Sequence, residues 1–315
     1  MKVICGATIC DGSGGPLRQG EVVLDGDVIA EIVAPGYCAT ADAEVIDGAG
    51  MLLAPGFIDA HAHSEMGMLK HPANRTKLLQ GVTTEVNGNC GSSPSCVPHD
   101  DGKYRWQALA DYAVLLDSLQ PGLNSVALCG HNSVRAAVMG NEQRTPTAAE
   151  MASMKALVAA ALADGAAGFS TGLTYFPGKF STTAELLALS SLLEGTGKVY
   201  VTHIRSEGDA IEAALDEALA IASSAACRLQ ISHLKTLSER NWHKLPAVLA
   251  RIEAARASGV EVFADRYPYV YSCTNLRQAL PAPYDLMPGI QQYLQDSAEH
   301  QAEVVAALSR SQRDV

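Results

Sequence analysis

Residues 199–267 read VYVTHIRSEGDAIEAALDEALAIASSAACRLQISHLKTLSERNWHKLPAVLARIEAARASGVEVFADRY. The run 199–204 is β-branched and apolar, the signature of a strand. Residues 208–225 then carry Ile211, Leu215, Leu219 and Ala222 at helical spacing. A second strand-like run, RLQISHL, a second helical run stopped by Gly259, and a third strand, VEVFADRY, follow. Strand–helix–strand–helix–strand within one stretch demands a parallel sheet with right-handed crossovers.

The same alternation extends upstream to Pro55. Strand candidates fall near 56–61, 82–87, 125–130, 167–171, 199–203, 229–233 and 260–265. Two of the intervening helices open on capping-box patterns, Thr147 with Glu150 and Thr182 with Glu185. The expected fold class is α/β: a (β/α)₈ TIM-type barrel whose last strand–helix unit is missing, with a doubly wound open sheet as the alternative. No G-x-G-x-x-G opens a helix after the first strand, which weighs against a dinucleotide-binding domain. After Tyr284 the alternation stops, residues 289–312 look helical, and no eighth strand follows. Residues 1–50 differ in kind. They are glycine-rich without helical periodicity, and Asp25-Gly26 between two β-rich runs signals a hairpin, so they form a small β module. The domain expectation is therefore 1–50 and 51–315.

Composition limits the partners. Of the 315 residues 48% are hydrophobic and 5% aromatic, which suits helices packed on a parallel sheet. A net charge of -11 argues against nucleic acid or an anionic membrane surface as partner. The N-terminus has no signal-peptide h-region and no segment reaches the ~18 apolar residues of a membrane span. With eight scattered cysteines that do not form a disulfide framework, a cytoplasmic location is expected and the oligomeric state stays open.

In a parallel barrel the chemistry collects at the C-terminal strand ends. Five of the nine histidines stand there, namely His61, His63, His131, His203 and His233, together with Asn89-Cys90 and Asp265. Two side chains two residues apart on a strand share a face and can share one metal ion. Imidazoles converging from several strand ends point to a metal centre, with Zn²⁺ the default for hydrolysis. Cys90 reads either as a buried small hydrophobe in a tight turn or as a thiolate ligand that would favour zinc. The remaining cysteines, and His71, His99, His243 and His300, receive no role.

These residues lie in phrases that resemble the amidohydrolase superfamily and, within it, the N-acyl-D-amino-acid deacylases (D-aminoacylases): PGFIDAHAH, QGVTTEVNGNCG, GHNSVR, GFSTGLTYFPG, VTHIRSE, QISHLK, NW at 241–242 and DRYPY. The resemblance runs over nearly the whole chain. It implies a (β/α)₈ barrel with a small β-sandwich to which residues 1–50 contribute the N-terminal portion. It also implies zinc-dependent hydrolysis of an N-acyl-D-amino acid, by metal-activated water, to a carboxylate and a D-amino acid. His61 and His63 match one metal position and Cys90, His203 and His233 match the tightly held zinc, leaving a second, weaker site beside it. Lys235 would hold the substrate α-carboxylate, with Tyr267, Ser272 and Arg277 as further substrate contacts. The general acid/base Asp belongs to an eighth strand and is expected beyond Val315, so the chain looks C-terminally truncated. Glu65 and His243 depart from the family pattern without touching the ligand set. The rival readings are a dihydroorotase- or hydantoinase-like cyclic amidase, which would need a carboxylated lysine after the fourth strand, and a non-catalytic zinc-binding fragment.

Overall fold

A computed structural model describes residues 1–37, 43–274, 280–281, 283–285, 287 and 289–310. The chain divides into two compact units, Met1–Ile58 with Gln80–Thr83, and Asp59–Leu79 with Thr84–Val315. The first holds β1 (Lys2–Cys5), β2 (Thr8–Ile9), β3 (Arg18–Gln19), β4 (Glu21–Asp25), β5 (Val28–Val33), β6 (Glu44–Asp47) and β7 (Leu52–Leu53). They form a four-stranded sheet ordered β5-β4-β1-β6 and a three-stranded sheet ordered β3-β2-β7. β4 and β5 are antiparallel across a turn where Gly26 takes φ 59°, as the Asp-Gly signal predicts.

The larger sheet has seven strands: β8 (Phe57–Asp59), β9 (Val82–Asn87), β12 (Asn124–Gly130), β13 (Gly168–Gly172), β14 (Val199–His203), β15 (Arg228–Ile231) and β16 (Val262–Ala264). A two-residue pair, β10 (His99–Asp100) with β11 (Arg105–Trp106), makes a separate hairpin. All seven strands coincide with the expected runs. The pairs from β9–β12 to β15–β16 are parallel. The strand order is sequential, β16-β15-β14-β13-β12-β9-β8, with no switch point, and this removes the doubly wound alternative.

That order makes β8 and β16 the two edges, which in a flat sheet would lie ~29 Å apart at ~4.8 Å per strand. Yet His61 Nδ1, just beyond β8, is 3.2 Å from Oδ1 of Asp265, just beyond β16. The sheet is therefore curled, and its C-terminal ends gather around one centre.

The helices are α1 (Glu65–Lys70), α2 (Arg75–Leu78), α3 (Leu109–Ser118), α4 (His131–Met139), α5 (Ala148–Ala163), α6 (Thr183–Ser190), α7 (Ile211–Ser224), α8 (Leu245–Ala257), α9 (Ile290–Asp296) and α10 (Ala298–Arg310). α7 shows why they dock. Ile211, Ala214, Leu215, Ala218, Ile221 and Ala222 form its buried stripe. Each of the large members contributes ~1.5–3 kcal/mol by leaving water. Phe169, Tyr200, Leu229, Ile231 and Val262 of the sheet meet Met154, Val158, Leu186, Leu189 and Leu215 of the helices in one apolar layer. The helical tail divides at Ser297, whose extended backbone ends α9 and whose Oγ accepts from His300 N at the start of α10.

Candidate metal centre

Cys90 hangs from a one-turn 3₁₀ segment between β9 and the strand ends, and it owes its place to the glycines around it. Gly88 and Gly91 adopt φ 83° and 74°, a region where an L side chain is strained. A Cβ on Gly88 would run into the Leu128 carbonyl, and one on Gly172 into the carbonyl of Cys90 itself. Ser170 ties the turn down by accepting from Gly91 N at 3.1 Å and donating to Gly88 O. Cys90 takes φ 52° and His233 φ 39°, so both chemical residues sit on left-handed backbone.

Cys90 Sγ lies 3.4 Å from His61 Nε2 and 3.6 Å from His233 Nε2. A tetrahedral zinc with Zn–S of ~2.3 Å and Zn–N of ~2.05 Å separates sulfur from nitrogen by ~3.6 Å, so the spacing fits one ion shared by all three. The far sides of both rings meet carboxylates. His61 Nδ1 is 3.2 Å from Asp265, and His233 Nδ1 is 2.6 Å from Oε1 of Glu207. A carboxylate behind each imidazole fixes its tautomer and turns the lone pair toward the shared centre. Asp265 also accepts from His233 N at 2.6 Å and from Gln230 Nε2 at 2.9 Å, so it ties the first and sixth strand ends together.

His203 ends β14, its ring centroid 4.4 Å from that of His233. Its Nε2 meets Thr174 Oγ1 at 3.0 Å, while its Nδ1 is buried with no hydrogen-bond partner among the described residues. Burial, outweighing the nearby Glu207, pushes the His203 pKa down to about 3, so the ring is neutral and able to ligate. His203, Glu207 and His233 form a second group of potential donors beside the first. His63 belongs to neither group. Its ring stands 5.3 Å from that of His61, and burial followed by repulsion from His61, His233 and Lys77 lowers its pKa to about 4. The pairing of His61 with His63 and of Cys90 with His203 and His233 thus differs from the structural grouping, which joins His61 to Cys90 and His233. His61 and His63 lie past the end of β8, where strand alternation no longer directs them.

The Lys235 side chain is largely buried. It donates to Glu207 Oε1 at 2.5 Å, lies 3.2 Å from His233 Nδ1, and faces the Tyr267 ring at 5.7 Å. Tyr267 and Ser272 meet each other, hydroxyl to hydroxyl, at 3.1 Å. Arg277 lies outside the described residues. Glu207, four residues past His203, closes the phrase VTHIRSE, but the phrase attaches no role to this residue. It is held ionised at about pKa 2, because its hydrogen bond to His233 and the nearby cations outweigh burial.

His131 goes elsewhere despite its strand-end position. Fully buried, its Nε2 meets Glu185 at 2.8 Å, and one Arg135 nitrogen, Nη1, donates to both carboxylate oxygens of Glu185 at 2.8 and 2.7 Å. Glu185 therefore does not close the capping box with Thr182, which caps α6 alone. At α5 the reciprocal box between Thr147 and Glu150 is complete. A cavity of about 510 Å³ opens beside the centre, lined in part by His63, Cys90, Ser92, Asn132, Tyr175 and Phe176.

The amidohydrolase family profile matches residues 44–315. The chain is 40% identical over 285 residues to an N-acyl-D-glutamate deacylase of Alcaligenes xylosoxydans xylosoxydans, covering 87% of this chain and 58% of that protein. It is 36% identical over 327 residues to a D-aminoacylase of the same organism, covering 99% of this chain and 67% of the relative. A crystal structure of N-acyl-D-glutamate deacylase from Bordetella bronchiseptica, complexed with zinc and a phosphonate that mimics the tetrahedral intermediate, superposes with a TM-score of 0.80. It is 38% identical, and the match covers 85% of this chain and 58% of that one. The chain thus spans roughly three-fifths of the length of these relatives, all of them N-acyl-D-amino-acid deacylases. It belongs to the amidohydrolase family.

Proposed function

We propose that this chain holds a zinc ion through His61, Cys90, His203 and His233, with His63 at an adjoining weaker position. We further propose that it serves the hydrolysis of N-acyl-D-amino acids to a carboxylate and a D-amino acid in the cytoplasm. The observation that carries the reading is the sulfur–nitrogen spacing of 3.4 and 3.6 Å at Cys90, with a carboxylate behind each facing imidazole. On this reading the curled sheet supplies seven strands of a (β/α)₈ barrel, and residues 1–50 the N-terminal portion of a β-sandwich.

Zinc bound there supplies Lewis acidity, polarising an amide carbonyl and acidifying water. The chain's own groups orient and balance. Asp265 and Glu207 hold the two rings, and Lys235, with 13% of its side chain exposed, places a positive charge beside the centre for the substrate α-carboxylate. Tyr267, Ser272 and Arg277 complete that anchor. The proton-transfer Asp stands, by family resemblance, on an eighth strand, and the described residues hold seven in this sheet. The cyclic-amidase alternative needs a lysine at the end of β13. Lys179 instead extends to Asp285, 2.7 Å away.

Metal uptake and turnover are tested separately. Elemental analysis of the purified chain should find zinc, reduced in Cys90→Ala and His233→Ala. N-acetyl-D-methionine and dihydroorotate are then offered side by side, and turnover of dihydroorotate alone, or a wild type free of metal, refutes the assignment.

A further inference from the structure

The segment that carries His61 and His63 is fastened at three backbone nitrogens. His61 N donates to Asp59 Oδ1 at 3.1 Å, Ala62 N to the Val86 carbonyl at 2.9 Å, and Ser64 N to Asn87 Oδ1 at 2.7 Å. The middle bond joins backbone to backbone. The outer two rest on side chains, and both of those lead to one cation, Lys77 on α2. Its Nζ pairs with Asp59 Oδ2 at 2.8 Å and donates to Oε2 of the wholly buried Glu85. Glu85 and Asn87 stand two apart on β9 and so share a face. Glu85 Oε1 accepts from Asn87 Nδ2 at 3.0 Å, and Ser125 Oγ accepts from the same nitrogen at 3.0 Å. With Nδ2 so engaged, the amide oxygen is the atom turned to Ser64 N. Ser64 Oγ closes the group, donating to Glu85 Oε2 at 3.2 Å and lying 3.5 Å from Lys77 Nζ.

We propose that Lys77 is a positioning residue for the metal centre: by drawing the Asp59 and Glu85 carboxylates to one point it sets both ends of the segment 61–64 and so presents the His61 imidazole to the ion. The inference rests on His61 being a ligand, the reading given above. No proton moves in this role, and Lys77 acts only through the backbone it holds. Two carboxylates that converge on one nitrogen repel each other once it is gone. Asp59 then leaves His61 N, and Glu85 leaves the Asn87 amide free to turn away from Ser64 N.

A double-variant cycle on the whole chain separates this from general loosening of the fold. Zinc affinity, measured by chelator competition, should fall about 10–100-fold in Lys77→Met. In a His61→Ala background the same substitution should change affinity by less than ~3-fold, since the ring it aligns is already absent. In a His203→Ala background it should again cost about 10–100-fold, because His203 stands on another strand. A loss of equal size in both backgrounds is what a structural ion pair predicts, and it overturns the proposal, as does unchanged affinity in Lys77→Met alone. Hydrogen exchange gives a second measurement that needs no metal. The His61 and Ser64 amides of the wild type should be protected, and in Lys77→Met they should exchange faster while those of β13 keep their rates. Exchange of both at open-loop rates in the wild type overturns the proposal even where Lys77→Met does not fold. A wild type that takes up no zinc defeats the metal reading, while amide exchange still judges whether Lys77 holds the segment.

Discussion

Zinc uptake at Cys90 must expel a proton, and the structure sets how much. The thiol is 8% exposed; burial first, then the carboxylates of Asp265 and Glu207, push its pKa above the ordinary value, with Lys235 only partly opposing them. From an ordinary value of ~8.5, forming the thiolate at pH 7 costs ~2 kcal/mol, and the upward shift makes that a lower bound. The metal has to supply this free energy, so apparent affinity at pH 7 lies more than ~30-fold below its limit and climbs tenfold per pH unit while the free thiol stays protonated. Replacing Cys90 by Ala removes that one proton and leaves the imidazoles as they are. Calorimetric titration of zinc into wild type and Cys90→Ala, each in two buffers of different ionisation enthalpy between pH 6.5 and 8, counts the protons released. Wild type should release one more than the variant and show a log K against pH that is steeper by one. Equal proton release by the two proteins would mean that the sulfur is not a ligand.

The other expectations concern what holds the site's walls. Glu185→Leu strands the fully buried Arg135 guanidinium and should cost ~3–5 kcal/mol in urea unfolding, whereas Glu185→Leu/Arg135→Met should regain most of it. Burial would raise the Glu185 pKa, but His131 and Arg135 outweigh it and hold the carboxyl below its ordinary value. Its contribution is therefore complete above the unfolded-state value of ~4.3 and is lost as pH falls through the lower folded value. The gap between wild type and Glu185→Gln should close on acidification, and a gap that widens contradicts the assignment. Gly172→Ala drives a Cβ into the carbonyl of Cys90, so zinc retention should drop sharply with little change in far-UV circular dichroism. Retention at the wild-type level would show that the turn carrying Cys90 can shift at no cost.

The strands could be read from the text because they follow a local rule, and the donor residues were proposed from where those strands end. Each strand is a short β-branched or apolar run stopped by a turn, and a parallel sheet delivers whatever follows those runs to one rim. The grouping of donors could not, because it depends on the curl that carries His61 to within 3.2 Å of Asp265, residues two hundred positions apart. His233 sits two residues beyond β15, on left-handed backbone, where periodicity no longer says which way a side chain points. Glu207 stands in the quoted phrase VTHIRSE, but its partners are set by packing, so the phrase does not say what it touches. His131 shows the opposite failure. Its position is as suggestive as that of His203, and only the buried Glu185 and Arg135 reveal that it anchors α4 against α6.

The contact between His61 and Asp265 joins the two edge strands of the curled sheet without a backbone ladder. An ion seated between His61, Cys90 and His233 would then act as a rivet across that seam, binding the first strand end to the second and the sixth. Chelation becomes a mechanical operation as well as a chemical one. Withdrawing the metal unfastens the sheet at its margin, so amides of β8 and β16 should open to hydrogen exchange ahead of those in β13 and β14. The inner strands keep neighbours on both sides.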